Sequence, residues 1–261
     1  MPEGASPSTV LKLGVRGPEV LGWQRFLVKQ KLLTGKVDFV FGSGTEAATI
    51  RFQKKQGLSA DGKVGKGTVK AAAALGYDPA RDGFWPPIPD FPALGSNKQR
   101  AALFGTFAFV PSPSSQDPDA IRITDGWDKQ NIVPVDVPQL KGVPGARKGR
   151  VQFHRKAAAQ LQAMFADWEK AGLKDRLLSF DGSYVPRFQR NTTTALSSHS
   201  WGSSFDLNQP SNSFLNPPAG LGMKGCLLEL VEIANRHGFF WGGHFSSRID
   251  GMHFEVAKLK G

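Results

Sequence analysis

The sequence holds a single cysteine, Cys226. It cannot close an internal disulfide, and a zinc module built from several cysteines is excluded. No apolar run approaches the ~18 residues of a membrane-spanning helix; the longest candidate, AALFGTFAFV at 101–110, is too short. The opening residues, MPEGASPSTV, lack the apolar core of a secretory leader, so a soluble cytosolic chain is expected. Acidic residues are in the minority, with 22 Asp+Glu against 33 Lys+Arg and a net charge of +11. No helix-turn-helix or RNA-binding signature accompanies that charge, which argues against nucleic acid as its target.

What is present reads as globular. Of 261 residues, 40% are hydrophobic and 21% charged, which excludes a largely disordered chain and fits one or two domains. Thirty glycines and 18 prolines point to many turns and at least one linker. The charge is uneven. Residues 1–77 hold 12 Lys+Arg and 5 Asp+Glu, a net of +7, and the remainder holds 21 and 17, a net of +4. The first third is thus suited to a polyanion such as a cell wall, a membrane surface or nucleic acid.

An internal repeat organises that first third. Asp38-Phe-Val-Phe-Gly42-Ser-Gly44-Thr45 and Asp61-Gly-Lys-Val-Gly65-Lys-Gly67-Thr68 share D-x3-G-x-G-T at an offset of 23 residues. Each copy precedes a helical stretch, Glu46–Gln56 and Thr68–Leu75, and each threonine is placed to cap its helix. Pro18–Leu33 reads as a third helix with Val20, Leu21, Trp23, Phe26 and Leu27 on its apolar side. The strings LKLGVRGPEVLGWQRFL and FGSGTEAATIRFQKKQGLSADGKVGKGT make residues 8–77 resemble the small peptidoglycan-binding domain of bacterial and phage cell-wall hydrolases. Asp38-Phe39 departs from the family's usual Asp-Gly and makes one turn less typical.

The segment 78–95 carries five prolines and reads as a stiff spacer between domains 1–77 and 96–261. Beyond it, Phe104–Val110, Ile121–Thr124, Ile132–Val137 and Met252–Val256 read as strands. Residues 151–171, with His154, Ala158, Leu161, Phe165 and Trp168 at helical spacing, read as the clearest helix, and 226–237 as another. The fold class is therefore α+β.

Among the five histidines, His154 falls on the apolar face of the expected helix and His237 in the last turn of another, where a cation favours the dipole. His199, His244 and His253 stand in polar, glycine-rich surroundings. Ser197-Ser-His199-Ser-Trp-Gly202-Ser-Ser-Phe-Asp206 spells S-x-H-x2-G-x3-D, and Asp250-Gly-Met-His253-Phe-Glu255 follows 44 residues later. Two imidazoles and one carboxylate suit zinc and leave a fourth position open. The spacing alone is equally compatible with a pair of hydrogen-bonded histidines near loops.

These motifs, with the closing segment GFFWGGHFSSRIDGMHFE, make residues from about 140 to 257 resemble the zinc D,D-carboxypeptidase and L-alanyl-D-glutamate endopeptidase family. The resemblance implies a hedgehog/D,D-peptidase-like antiparallel sheet with flanking helices, and Zn2+ held by His199, Asp206 and His253. It implies Asp250 as general base, with Glu255 as the competing carboxylate. Glu255 is read instead as orienting His253, because residues two apart on a strand share a face. Arg187 is implied as the cation over the scissile carbonyl, with Arg190 as alternative. Ser197 is expected beside the metal ligands. Ser204 replaces the family's usual alanine. His244 stands where an acidic residue is expected, and structural, substrate-contacting and metal-binding roles are all open to it. Cys226 is expected in the core, Trp201 and Trp241 in the core or along a groove, and Arg147, Lys148 and Arg150 on a solvated loop.

The resulting expectation is a modular phage endolysin, a monomeric zinc endopeptidase of bacterial peptidoglycan that admits contact with an anionic membrane surface. Without a leader it would await membrane permeabilisation in the host cytoplasm and then act on the wall from the periplasm. The L-alanyl-D-glutamate bond is expected, with D-alanyl-diaminopimelate cross-bridge cleavage or D-alanyl-D-alanine trimming as alternatives. A reading of another class, a non-catalytic wall-binding protein, is opposed by the intact set His199, Asp206, His253 and Asp250.

Overall fold

The computed structural model describes residues 10–246 and 248–260. The chain is mixed helix and sheet and divides into two compact units, one of the residues up to Pro86 with Gly220–Met223, the other of the remainder from Pro87 on.

In the first unit, helix α1 (Pro18–Lys29) opens with proline, whose missing N–H would have no intrahelical partner there. It ends four residues earlier than the apolar pattern reaches, because Lys31 turns the chain at φ 60. Helices α2 (Ser43–Lys55) and α3 (Lys66–Ala73) follow, then the single turn α4 (Pro79–Asp82), capped by the Asp78 carboxylate. Trp23, Phe26, Phe52 and Tyr77 form the aromatic centre, with ring centroids 5.1–5.4 Å apart.

The sequence repeat is a repeat of hydrogen bonds. Gln24 Nε2 donates to Asp38 Oδ1, the Val40 carbonyl and Thr45 Oγ1, while its Oε1 accepts the Asp38 N–H. Gln53 Nε2 donates to Asp61 Oδ1, the Lys63 carbonyl and Thr68 Oγ1, while its Oε1 accepts the Gly62 N–H. Thr45 and Thr68 are therefore not caps. Each lies in the first helical turn and spends its hydroxyl on the glutamine, and the N-cap positions are Gly42 and Gly65. The atypical Phe39 packs edge-on against Trp85.

The proline-rich segment is not a free spacer. Residues 78–86 are built into the first unit through α4 and Trp85, and residues 87–95 into the second. There the Pro87 carbonyl accepts from Asn235 Nδ2, and the Leu94 N–H donates to Glu255 Oε1 at 3.1 Å.

The second unit begins with α5 (Asn97–Phe104), a helix without apolar periodicity, capped by Ser96. Strand β1 (Phe109–Pro111) consequently starts later than Phe104 and pairs with β2 (Ile121–Ile123). After α6 (Trp127–Asn131), strands β3 (Ile132–Lys141) and β4 (Lys148–His154) form an antiparallel pair. Residues 151–154 are thus strand and not helix. Val151 and Phe153 are buried while Gln152 is exposed, a period of two, and helix α7 runs over Ala158–Lys170. Lys148 and Arg150 lie on β4, Arg150 pairing with Asp136 on β3, so only Arg147 of the short basic run lies on the loop.

Strands β5 (Phe180–Gly182) and β6 (Ser204–Leu207), helix α8 (Val231–Arg236), and strands β7 (Phe239–Trp241) and β8 (His253–Val256) complete the unit. The sheet is antiparallel in the order β5-β6-β8-β7. Phe205 and Phe254 face each other across β6 and β8, stacked at 5.4 Å, and pack on Trp168 of α7. Alternation then places Ser204, Asp206, His253 and Glu255 on the opposite face. Trp201, Trp241 and Cys226 are core residues. His154 is buried, and His237 ends α8 and pairs with Asp167. No helix among the described residues is long and apolar enough to cross a membrane.

Candidate metal centre

Two elements bring the predicted ligands together. The β6–β8 register sets Asp206 directly opposite His253. His199 arrives on a single 3-10 turn, Ser198–Trp201, whose preceding Ser197 Oγ accepts the His199 N–H at 3.4 Å. The turn closes at Gly202, which adopts φ +59 and whose missing side chain leaves room for Ile132 and the His154 backbone. That is the physical need behind the glycine of S-x-H-x2-G-x3-D.

The three donor atoms converge. His199 Nε2 lies 3.2 Å from His253 Nδ1 and 3.3 Å from Asp206 Oδ1, and His253 Nδ1 lies 2.9 Å from Asp206 Oδ1. Among the described residues these three form the one cluster of His, Cys, Asp or Glu able to hold a metal ion, and all three are buried. Corners of a tetrahedron with zinc-type bonds of ~2.0–2.1 Å stand about 3.3 Å apart, so the donors sit at the spacing such an ion requires.

Each imidazole is fixed from behind. His199 Nδ1 faces the Ser183 carbonyl at 2.9 Å, and a proton there leaves the Nε2 lone pair pointing inward. His253 Nε2 faces Ser198 Oγ at 3.2 Å and Glu255 Oε2 at 3.6 Å, which leaves Nδ1 for the centre. Glu255 is itself held by Arg100 Nη2 at 3.5 Å and by the Leu94 N–H. Burial raises the Glu255 carboxyl pKa, but His253, Arg100 and that N–H outweigh it and hold the group ionised. Sequence reading missed Ser183, Ser198 and Arg100.

The electrostatics favour a cation. Burial pushes Asp206 up, yet His199 and His253 prevail and hold it well below the carboxylate range. Burial opposes charge on His253, yet Asp206 and Glu255 raise it to about 10. Two carboxylates flanking one imidazole bind positive charge, as a proton or as a metal ion.

The centre opens into a cleft of about 590 Å³ that Asp250 and Arg187 also line. Asp250 Oδ1 is buried without a hydrogen-bond partner, and burial, reinforced by Asp206, pushes its carboxyl up to about 6 against the opposing pull of His253, His199 and Arg187. The Asp250 loop folds over Gly242, whose carbonyl accepts the Asp250 N–H; a side chain at Gly242 would meet the Asp250 carbonyl at 2.5 Å. Arg187 is half-buried and makes no ion pair among the described residues, whereas Arg190 pairs with Asp119 at 2.9 Å and Asp117 at 3.7 Å. His244 is not brought into the cluster. Its ring packs edge-on against Trp241 at 5.1 Å.

Residues 190–256 match a family model described as D-alanyl-D-alanine carboxypeptidase. Residues 16–72 match one described as putative peptidoglycan binding domain. The chain thus combines a peptidoglycan-binding domain with a domain of that peptidase family, the peptidase match spanning all three clustered residues together with Asp250 and Glu255. Arg187 lies just ahead of it. Among solved structures, the crystal structure of the SleB N-terminal domain is 38% identical over 27% of this chain and 97% of its own length, with a TM-score of 0.26.

Proposed function

We propose that the protein is a zinc-dependent peptidoglycan endopeptidase that cuts the stem peptide, most directly at L-alanyl-D-glutamate, as the lysis enzyme of a phage. The observation that carries this reading is the convergence of His199 Nε2, Asp206 Oδ1 and His253 Nδ1 within 3.3 Å of one another, at a cleft that also presents a carboxylate oxygen without a partner. Two neutral imidazoles and a carboxylate are a hydrolytic zinc set, so the residues present fit the ion. Their support is a hedgehog/D,D-peptidase-like sheet.

Held by His199, Asp206 and His253, zinc would supply Lewis acidity for a scissile carbonyl and a water of pKa about 7. Asp250 accepts a proton from the attacking water and returns it to the leaving amine, so the carboxylate ends the cycle as it began. Its unpartnered Oδ1 and its raised proton affinity suit both transfers. Arg187 stabilises the negative charge that develops on the carbonyl oxygen. Glu255 and Ser198 hold the His253 ring, and the Ser183 carbonyl holds His199.

The N-terminal unit concentrates this chemistry on its polymer through effective concentration. Lysis requires that the cross-linked mesh be cut, which trimming a terminal D-alanine does not do. A cleft of about 590 Å³ also admits more of a stem peptide than its last two residues. The family description keeps D-alanyl-D-alanine trimming as a second reading. Turbidity of purified cell walls tests the proposal. Clearing by the protein, arrest by chelator and rescue by zinc are expected; clearing that ignores chelator contradicts a metal-dependent enzyme.

A further inference from the structure

The cleft that opens on the metal cluster is lined by four arginines, Arg100, Arg187, Arg190 and Arg248. Their charges are not equally available. Arg100 is committed to Glu255, and Arg190 to Asp117 and Asp119. Of the remaining acids of the lining, Asp250 is the base placed above, and the other two are engaged. Asp181 Oδ2 accepts from Ser179 Oγ and from the Gln209 N–H, and Asp206 faces the two histidines. Arg187 and Arg248 are left without an ion pair among the described residues. With Arg187 placed at the scissile carbonyl and Asp250 kept for proton transfer, Arg248 is the lining cation left for another partner.

Arg248 is held for recognition. Its guanidinium lies over the Phe214 ring, with Cζ 5.1 Å from the centroid, and Nη2 donates to the Arg190 carbonyl at 3.3 Å. Phe214 also lines the cleft. A planar guanidinium stacked on a ring and tethered through one nitrogen keeps other N–H groups for a bidentate carboxylate, the geometry arginine serves better than lysine. The ordering entropy that a mobile arginine would lose on binding is already reduced.

We propose that Arg248 forms a carboxylate subsite of the cleft and reads a free carboxylate on the substrate next to the scissile bond. Resting on the stem-peptide reading above, this ligand is the α-carboxylate of the glutamyl residue, and the protein discriminates against stem peptides in which that group is a carboxamide. A charge-assisted bidentate contact predicts a preference of about 10- to 100-fold, expressed in KM.

The test uses the full chain with zinc and two stem peptides identical except that the glutamyl α-carboxylate is free in one and a carboxamide in the other. The unsubstituted protein should favour the free acid about tenfold or more in kcat/KM. Arg248→Gln should bring the ratio to near one by raising KM for the acid far more than for the carboxamide, with zinc content unchanged. Arg248→Lys should restore part of the preference. An unsubstituted protein that cuts both peptides equally, or an Arg248→Gln variant that keeps the preference or slows both alike, overturns the subsite. Failure to cut either peptide, while another wall bond is cut, overturns the stem-peptide reading and this assignment with it.

Discussion

Asp206 and His253 are directly opposed across β6 and β8, with Asp206 Oδ1 2.9 Å from His253 Nδ1. Two of the three candidate ligands are therefore positioned by a strand register, in which a one-residue slip of either strand would turn its ligand towards the Phe205–Phe254 core. Only His199 depends on a turn.

Removing an imidazole should remove the ion. His199→Ala and His253→Ala are expected to lose bound zinc by elemental analysis while keeping their circular dichroism. Full stoichiometric zinc in both variants would contradict the centre.

The two carboxylates that compete for the base differ in what they touch. Glu255 is enclosed by Arg100, Leu94 and His253, whereas Asp250 has a free oxygen at the cleft. Asp250→Asn should keep zinc and lose roughly 10²- to 10⁴-fold in kcat, the usual worth of a general base. Glu255→Gln should weaken zinc retention against chelator and lose less in kcat. A larger kcat loss in Glu255→Gln, with zinc retained in both, would reverse the roles.

How much of this was readable beforehand follows from locality. The His253–Glu255 pair shares a face because strands have a period of two, and that needs no tertiary knowledge. Ser197 and Gly202 are visible because the His199 turn is short and must be capped and closed. Arg100 is not visible: it lies 155 residues from Glu255, on a helix with no apolar stripe to announce it. The Ser183 contact is a backbone carbonyl and leaves no mark on residue type. At 151–154 the apolar spacing satisfied both periods, and the β3 partner decided for strand. The threonines of the repeat looked like caps because capping is a local rule, whereas their glutamine partners sit 21 and 15 residues away.

Those glutamines should be costly to lose. Gln24 and Gln53 are each 1% exposed, and truncation strands the loop groups they satisfy. Gln53→Ala should destabilise the first unit by about 1–3 kcal/mol, read by thermal unfolding. It should reduce retention on sedimented cell walls without changing hydrolysis of a soluble stem peptide. Equal losses on wall and soluble substrate would separate the unit from wall binding. Retention by the unsubstituted chain should also weaken as salt rises, given the +7 of residues 1–77.

His154 predicts a pH dependence of stability in the second unit. Its ring is buried, with Nε2 3.2 Å from the Phe104 carbonyl and Nδ1 accepting the Lys156 N–H, so the neutral tautomer satisfies both partners. Burial lowers its pKa from 6.5 to about 4. As pH falls from 6.5 towards 4 the unfolded chain takes up this proton first. The contribution, at most about 3 kcal/mol, is therefore complete above pH 6.5 and is lost over that window. Urea unfolding of the unsubstituted protein and His154→Gln at pH 7.5 and 4.5 checks this. The variant should lose less stability between the two values, and equal losses would contradict the assignment.

The most direct test of the central claim is mass spectrometry of the peptides released from purified peptidoglycan, with the protein as isolated, stripped by chelator and reloaded with zinc. New N-terminal glutamate on stem peptides detached from glycan is predicted, present in the first and third digests and absent from the second. Free D-alanine as the sole product, or the same peptides after chelation, would contradict a zinc endopeptidase built on His199, Asp206 and His253.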